Sequence, residues 1–306
     1  MTIDKSRLHP ETLAAQGLGR VADPYRDIVP PIYVSTTYER GADGAFPGGR
    51  IYSRADNPGY DQAEALIASL EGAAAAMLFA SGQAAAATVF QTLAPGACAL
   101  APQSMYWALR KWLLDFAKPR GLAVEFYDNA SIDDLAAKAR AVKPRGIWIE
   151  TPANPTWEVT DIAAASAIAR EVGAVIGIDS TVATPLLTRP IELGASIVMH
   201  SATKYLNGHS DVIAGALAAA RDDALWQSIR YIRGGGGSVL GPSSRGCCCA
   251  GYARCTCGSL APAPTRWRSR SASSATRSSP TSSIPASPRI PATRSPRARC
   301  RAASAG

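Results

Sequence analysis

The stretch Met199–Gly215, MHSATKYLNGHSDVIAG, decides how the rest of the chain is read. Lys204 stands at its centre, with Ser201 and Thr203 before it and Gly208, His209, Ser210 and Asp211 after it. Just upstream, Ser196-Ile197-Val198-Met199 is an apolar run of the length of a short buried strand. The lysine therefore sits just off a strand end, among small hydroxyl residues, in an apolar neighbourhood. Taken alone, Lys204 has two readings. One is an ordinary loop lysine, since Lys is seldom buried. The other is an amine that forms an imine with an aldehyde, which needs a proton made easy to lose by burial or cationic neighbours. A phosphate on that aldehyde would find donors in Ser201, Thr203 and the turn amides. His209 and Asp211 are read as residues that hold the turn by hydrogen bonds.

Outward from this stretch, strand and helix patterns alternate. Helices are expected over Tyr60–Leu70 (stopped by Gly72), Ala84–Leu93, Trp107–Lys118, Ser131–Val142, Asp161–Glu171 and Arg221–Arg233. Strands are expected over Ala74–Phe79, Cys98–Pro102, Leu122–Tyr127, Gly146–Glu150 and Ala174–Ile178. The alternation from residue 60 to 218 predicts an α/β domain with a mostly parallel sheet. Two strand ends stand out. Ser81-Gly82-Gln83 lies between a strand and an Ala-rich helix, where free amides can meet a phosphate; many αβ turns carry such a Ser-Gly for no such reason. Asp179 closes a buried strand, and ligands of parallel sheets bind at the carboxyl ends of strands. Its plainer reading is a helix cap.

Residues 1–58 read as an arm, extended around Pro30-Pro31 and the β-rich Ile32–Tyr38. At its end Tyr52 and Arg54 form either a solvated turn or a phosphate clamp, for which guanidinium offers a planar fork of donors.

Together these pieces resemble the Cys/Met-metabolism family of pyridoxal-phosphate (PLP) enzymes, which includes the cystathionine lyases and synthases and methionine γ-lyase. S-A-T-K-Y-L-N-G-H-S-D at 201–211 resembles the family's cofactor-lysine motif. Tyr52-Ser53-Arg54 with Asn57-Pro58 resembles its Y-S-R-x-x-N-P, and Ser81-Gly82-Gln83-Ala84-Ala85 its S-G-x-A-A. Glu150–Pro155 resembles E-x-P-x-N-P, and Asp179–Pro185 resembles D-N-T-x-x-T-P with Ser180 in place of Asn. The resemblance covers about residues 25–242. It implies the PLP-dependent transferase fold type I, an α/β fold with Lys204 as the cofactor lysine.

Further roles follow from the resemblance alone. Gly82 and Gln83 would give amides to the phosphate, and Tyr52 and Arg54 would reach the phosphate of a neighbouring subunit. That implies a homo-oligomer, a dimer of dimers. Tyr106 would stack on the ring and assist the leaving group; its plain reading is an aromatic at a helix start. Asn154 would sit near the cofactor hydroxyl, while Glu150 fixes the loop. Asp179 would keep the pyridine nitrogen protonated, so that the ring accepts electrons from the substrate carbanion. The substrate would be a small sulfur-containing amino acid undergoing β- or γ-elimination or γ-replacement. Two departures bear on substrate identity: Gly59 follows Asn57-Pro58 where Thr is usual, and Tyr106-Trp107-Ala108-Leu109 replaces Y-G-G-T.

Composition adds bounds. Hydrophobic residues make up 47% of 306, enough for a sizeable core. The start, MTIDKSRLHPETL, lacks the apolar core of a signal peptide, and no apolar run is long enough to span a bilayer, so the cytoplasm is expected. The net charge of +8 suggests nucleic acid until it is divided. Residues 245–306 hold 11 Arg and no Lys or acid, which leaves the first 244 residues at −3. Six of the seven Cys also fall there.

This Ser-, Pro- and Arg-rich tail has no core-forming pattern and is expected to be disordered. It stands where the family has a helix resembling L-L-x-R-G-L-R-T-L and a small domain, whose Arg grips the substrate carboxylate. That domain is expected to be missing or scrambled, with no residue here taking the Arg's place. A zinc site is a poor fit, because Cys255-x-Cys257 lacks ligand spacing and no His follows. A nucleic-acid tail is the other rival. Codons for Cys247–Gly258 read two bases later permit L-L-R-G-L-R-T-L-H-V-R, so we take the tail as a frameshift product. A truncated, inactive chain is the alternative to a working enzyme. A fresh DNA read across the codons for Leu240 to Gly258 is expected to show a base gained or lost. A continuous frame shared by related genes would remove the idea.

Overall fold

The structure, a computed structural model, describes residues 9–15, 25–27 and 29–244. The expectations for residues 245–306 lie outside the described residues, as does part of the arm. The described chain opens with a short helix, α1 (Pro10–Ala15), and an extended stretch that leads to α2 (Pro58–Glu71). Asn57 and Pro58 belong to the helix rather than to the arm. Asn57 is the N-cap, its side chain accepting from the Gly59 amide, and Pro58 fills the first turn, where a missing N–H costs nothing. Gly72 ends the helix with φ 65°, a conformation that disfavours a side chain.

From there the alternation holds: β1 (Ala75–Phe79), α3 (Gly82–Gln91), β2 (Cys98–Pro102), α4 (Trp107–Trp112), β3 (Ala123–Tyr127), α5 (Ile132–Val142), β4 (Gly146–Glu150), α6 (Ile162–Val172), β5 (Val175–Asp179), α7 (Thr184–Leu187), β6 (Ile197–His200), β7 (Gly215–Ala219) and α8 (Ala224–Gly236). Ser81, Ser131, Asp161 and Asp223 cap α3, α5, α6 and α8 with side-chain oxygens on backbone amides. Asp223 sets the start of α8 three residues later than periodicity suggests.

The helix expected over Trp107–Lys118 is not one α-helix. After Trp112 it widens to a π turn, Leu113–Ala117, and tightens to a 3₁₀ turn, Lys118–Arg120. Pro119 is the physical reason: it has no N–H to give, and its ring crowds the carbonyl four residues back.

The seven strands form one sheet in the order β1-β7-β6-β5-β4-β2-β3. Six run parallel, and β7 runs antiparallel to both its neighbours, β1 and β6. Strand β7, like the short α1 and α7, is an element that the sequence reading did not assign. Its sequence, GALAA, is too short and too small-sided to show a period. Residues of β4, β5 and β6 alternate between two cores. One, with Ile147, Ile149, Ile176, Ile178 and Val198, is covered by α2, α5 and α6. The other, with Trp148, Ile197 and Met199, is covered by α3, α4 and α8. All six parallel strands thus deliver their carboxyl ends to one edge. Among the described residues no helix is long and apolar enough to cross a membrane.

Helix α8 is tied back to the sheet by a buried cation. Arg233 stacks over the Tyr60 ring at 4.4 Å and donates to Glu64 Oε1 at 3.2 Å, which also accepts from the Leu78 amide at 2.8 Å. Burial pushes the Glu64 carboxyl up to about 7, against the pull of Arg233. A raised folded pKa means stability that is fully present below about 4.5 and lost as pH rises through about 7. Glu64→Gln keeps an acceptor without the charge. Between pH 5 and pH 8, urea melts are expected to shift in favour of the variant by about 2 kcal/mol, allowing for solvent screening. A difference independent of pH would show that Glu64 does not titrate in this range.

Candidate active site

The carboxyl edge of the sheet gathers most of the residues singled out by sequence. Strand β1 ends at Ser81-Gly82-Gln83, β4 at Glu150, β5 at Asp179, and β6 at Ser201 and Lys204. The loop after β2 adds Tyr106, and the loop after β4 adds Asn154.

Backbone packing sets the first part of the geometry. A Cβ on Gly82 would stand 2.8 Å from the Ser201 side chain. A Cβ on Gly215 would run into the Ser81 carbonyl oxygen and come 2.8 Å from the Gly82 nitrogen. The start of α3, the turn after β6 and the start of β7 therefore touch through backbone. Ser81 Oγ takes the Ala84 amide, which leaves the first-turn amides of Gly82 and Gln83 as the donors of this cup.

The Lys204 loop is pinned at both ends. The Thr203 amide and hydroxyl both donate to Ala214 O at 3.1 Å, and the Ala214 amide donates to Thr203 Oγ1 at 3.0 Å. Within the loop, Asn207 Nδ2 donates to Asp211 Oδ1 at 2.6 Å and His209 Nδ1 lies 3.0 Å from Asn207 O. His209 and Asp211 hold the turn in the way expected of them. Lys204 differs from expectation in its surroundings. Its neighbours Ala202 and Leu206 are buried, but Lys204 itself is exposed, because the turn after β6 lifts it out of the core.

Asp179 is buried at the end of β5, in register with Glu150 on β4 and Met199 on β6. Its Oδ1 accepts from the Thr181 hydroxyl at 2.6 Å and the Thr181 amide at 3.0 Å. Thr181 Oγ1 in turn accepts from the Ser201 amide at 2.8 Å. One hydroxyl thus links the carboxylate to the base of the Lys204 loop. Burial pushes the Asp179 carboxyl up; the Thr181 hydrogen bonds and the His200 imidazole pull it down. His200 is itself buried and paired with Glu71 from α2. Glu150 is pushed up to about 7, by burial first and then by Asp179. Tyr106, at the start of α4, is partly exposed, and Asn154 is exposed.

Tyr52 and Arg54 are not part of this set. They lie exposed on the arm, with the Arg54 guanidinium 5.5 Å from the centre of the Tyr52 ring. The Thr37–Tyr52 bridge, the Ser53 amide donating to Thr36 O at 2.9 Å and the Asn57 side chain donating to Ser53 Oγ at 2.9 Å hold the segment.

The sequence model of the family described as Cys/Met metabolism PLP-dependent enzyme matches residues 11–252. This chain belongs to that family. It is 37% identical to human cystathionine gamma-lyase over 239 residues, 76% of this chain and 58% of the relative. It is 40% identical to Escherichia coli cystathionine gamma-synthase over 219 residues, 69% of this chain and 56% of the relative. Among solved structures, the metB protein of Corynebacterium glutamicum superimposes with TM-score 0.79 at 29% identity, covering 83% of this chain and 66% of that one. The chain spans less than two thirds of the length of these relatives.

The described residues fit the family's PLP. Gly82 and Gly215 let the first turn of α3 pack directly against Ser201 and the start of β7, which sets the Gly82 and Gln83 amides beside the Lys204 turn. A buried carboxylate, Asp179, is available to a protonated ring nitrogen, and an exposed amine, Lys204, to an aldehyde. Sequence reasoning missed the bridging role of Thr181 and the close approach at Gly215. Thr181 stood inside a quoted motif, and its place two residues after Asp179 was the signal; the Gly in V-I-A-G was the signal for the second. Gly215→Ala is expected to lower stability by about 1–3 kcal/mol, because backbone rather than a flexible side chain blocks the methyl. An unchanged thermal melt of the apo chain would show that β7 can shift away.

Proposed function

We propose that the chain is a PLP-dependent lyase or transferase of the cystathionine type, acting on sulfur-containing amino acids. The observation that carries this reading is the convergence of Lys204, Asp179 and the Gly82 cup at one sheet edge, with Thr181 bridging two of them. The names of the relatives, cystathionine gamma-lyase and cystathionine gamma-synthase, support the substrate class. The family match over 11–252 and the seven-stranded sheet favour this reading over a truncated, inactive product.

In this reading the amides of Gly82 and Gln83 at the start of α3 would hold the phosphate. Ser201 and Thr203 stand beside it, with Thr203 also closing the loop on Ala214. Asp179 holds a proton at the ring nitrogen, and its own charge is steadied by Thr181. Tyr106 would pack on the ring, and Asn154 would bind its hydroxyl. Bound PLP supplies an electron sink for the charge left at the substrate Cα. Lys204 Nζ would hold the cofactor's aldehyde and would serve as the base for the substrate Cα proton. Tyr106 assists departure of the group at Cβ or Cγ.

Tyr52 and Arg54 serve the phosphate of a neighbouring subunit in a homo-oligomer. Their exposure supports this, as does the apolar surface of the arm, where Val29, Ile32, Val34 and Ile51 are all more than half exposed. An arm of this composition is covered at little cost by a second copy.

The test is direct. Full-length protein incubated with PLP is expected to take on visible absorbance and to release ammonia from cystathionine. Lys204→Ala is expected to lose that absorbance and to lower the rate by about 10²–10⁴-fold. A folded wild-type chain that stays colourless would sink the proposal.

A further inference from the structure

Glu150 is the last residue of β4, 4% exposed, and its carboxylate is divided between two loops. Oε2 accepts from the Tyr106 amide at 2.7 Å, and Oε1 accepts from the Asn154 amide at 2.8 Å. These are two of the residues placed around PLP above. They lie 48 positions apart in sequence, on loops that follow different strands; Ser104 and Thr156 join these loops through their hydroxyls at 2.9 Å on the exposed side, and Glu150 is the buried side chain that bonds the amides of both Tyr106 and Asn154. Main-chain pairing cannot do this, because β2 and β4 are registered only at Ala99–Leu100 and Gly146–Ile147, well short of the edge.

The same side chain is placed where a carboxylate is unwelcome. Glu150 and Asp179 are register partners on adjacent strands, so both point to the same face of the sheet at its edge. Two buried carboxylates side by side repel, and each is held only by donors. Asp179 has Thr181; Glu150 has the two loop amides. A residue kept only for stability would be better as a neutral amide here. A carboxylate alone offers two equivalent oxygens, one for each loop, with no N–H turned against either amide.

We infer that Glu150 is a positioning residue for the PLP site. It sets the spacing between Tyr106 and Asn154, at a cost in stability that comes from its neighbour Asp179. The inference rests on the proposed PLP function and deepens it.

Two variants of the full chain separate the roles. Glu150→Gln removes the charge and keeps one acceptor. At pH 8 the apo variant is expected to melt at or above the wild-type temperature, because a like charge beside Asp179 is gone. Its affinity for PLP, titrated by visible absorbance, is expected to fall about tenfold or more, because one loop loses a charged acceptor. Glu150→Asp keeps the charge but is one methylene too short to reach both amides. Its PLP affinity is expected to fall in the same way, without the gain in melting temperature. Wild-type PLP affinity in both variants overturns the inference. So does an E150Q chain that loses melting temperature in step with PLP affinity, which would mark a merely structural residue. A folded wild-type chain that binds no PLP overturns the functional reading, and this inference with it.

Discussion

The site depends on one place where two stretches of backbone meet without a side chain between them. The Ser81 carbonyl fills the space that a residue with a Cβ would need at position 215. Because β7 can come that close, it fits between β1 and β6 as the antiparallel member of an otherwise parallel sheet. That insertion draws the first turn of α3 against Ser201, where Gly82 again leaves no room for a side chain. Strand ends that are remote in sequence thus become neighbours at one edge, and hydrophobic burial on both faces of the sheet holds them there.

Charge is the opposing term. Asp179 is buried beside a second carboxylate, and its solvation must be replaced by fixed groups. The replacement is local and polar: two hydrogen bonds from Thr181, and the field of a buried imidazole that is itself paired with Glu71. The edge is therefore electrostatically loaded before any ligand arrives. Such preorganised polarity in a partly dry site is what makes charge stabilisation effective in catalysis.

Much of this was legible in the residues. Alternation placed five of the strands within one residue at either end, because GIWIE and VIGID are apolar runs bounded by Gly or loop residues. The motif at 201–211 located the lysine, and Asp179 was visible as an acid at the close of a buried strand. What escaped has physical causes. The run GALAA carries too little side-chain contrast to show a period. Pro119 disrupts a helix that propensity alone would continue to Lys118. The exposure of Lys204 is set by the lift of a turn, which residue types do not report. The arm residues Tyr52 and Arg54 stand apart from the sheet edge within the chain, a separation that residue types do not report.

The closure of residues 203–214 by Thr203 and Ala214 bears on the entropy of binding. Three hydrogen bonds at the neck leave a ring of backbone whose ends cannot separate. Tying the ends of a loop removes most of the conformations it would otherwise sample, and that loss is met once, when the sheet forms. A ligand arriving at Lys204 meets a backbone already ordered and has only the four-carbon stem of the lysine left to immobilise. The reach of the amine is then set by side-chain torsions, on the timescale of rotamer exchange rather than of loop motion.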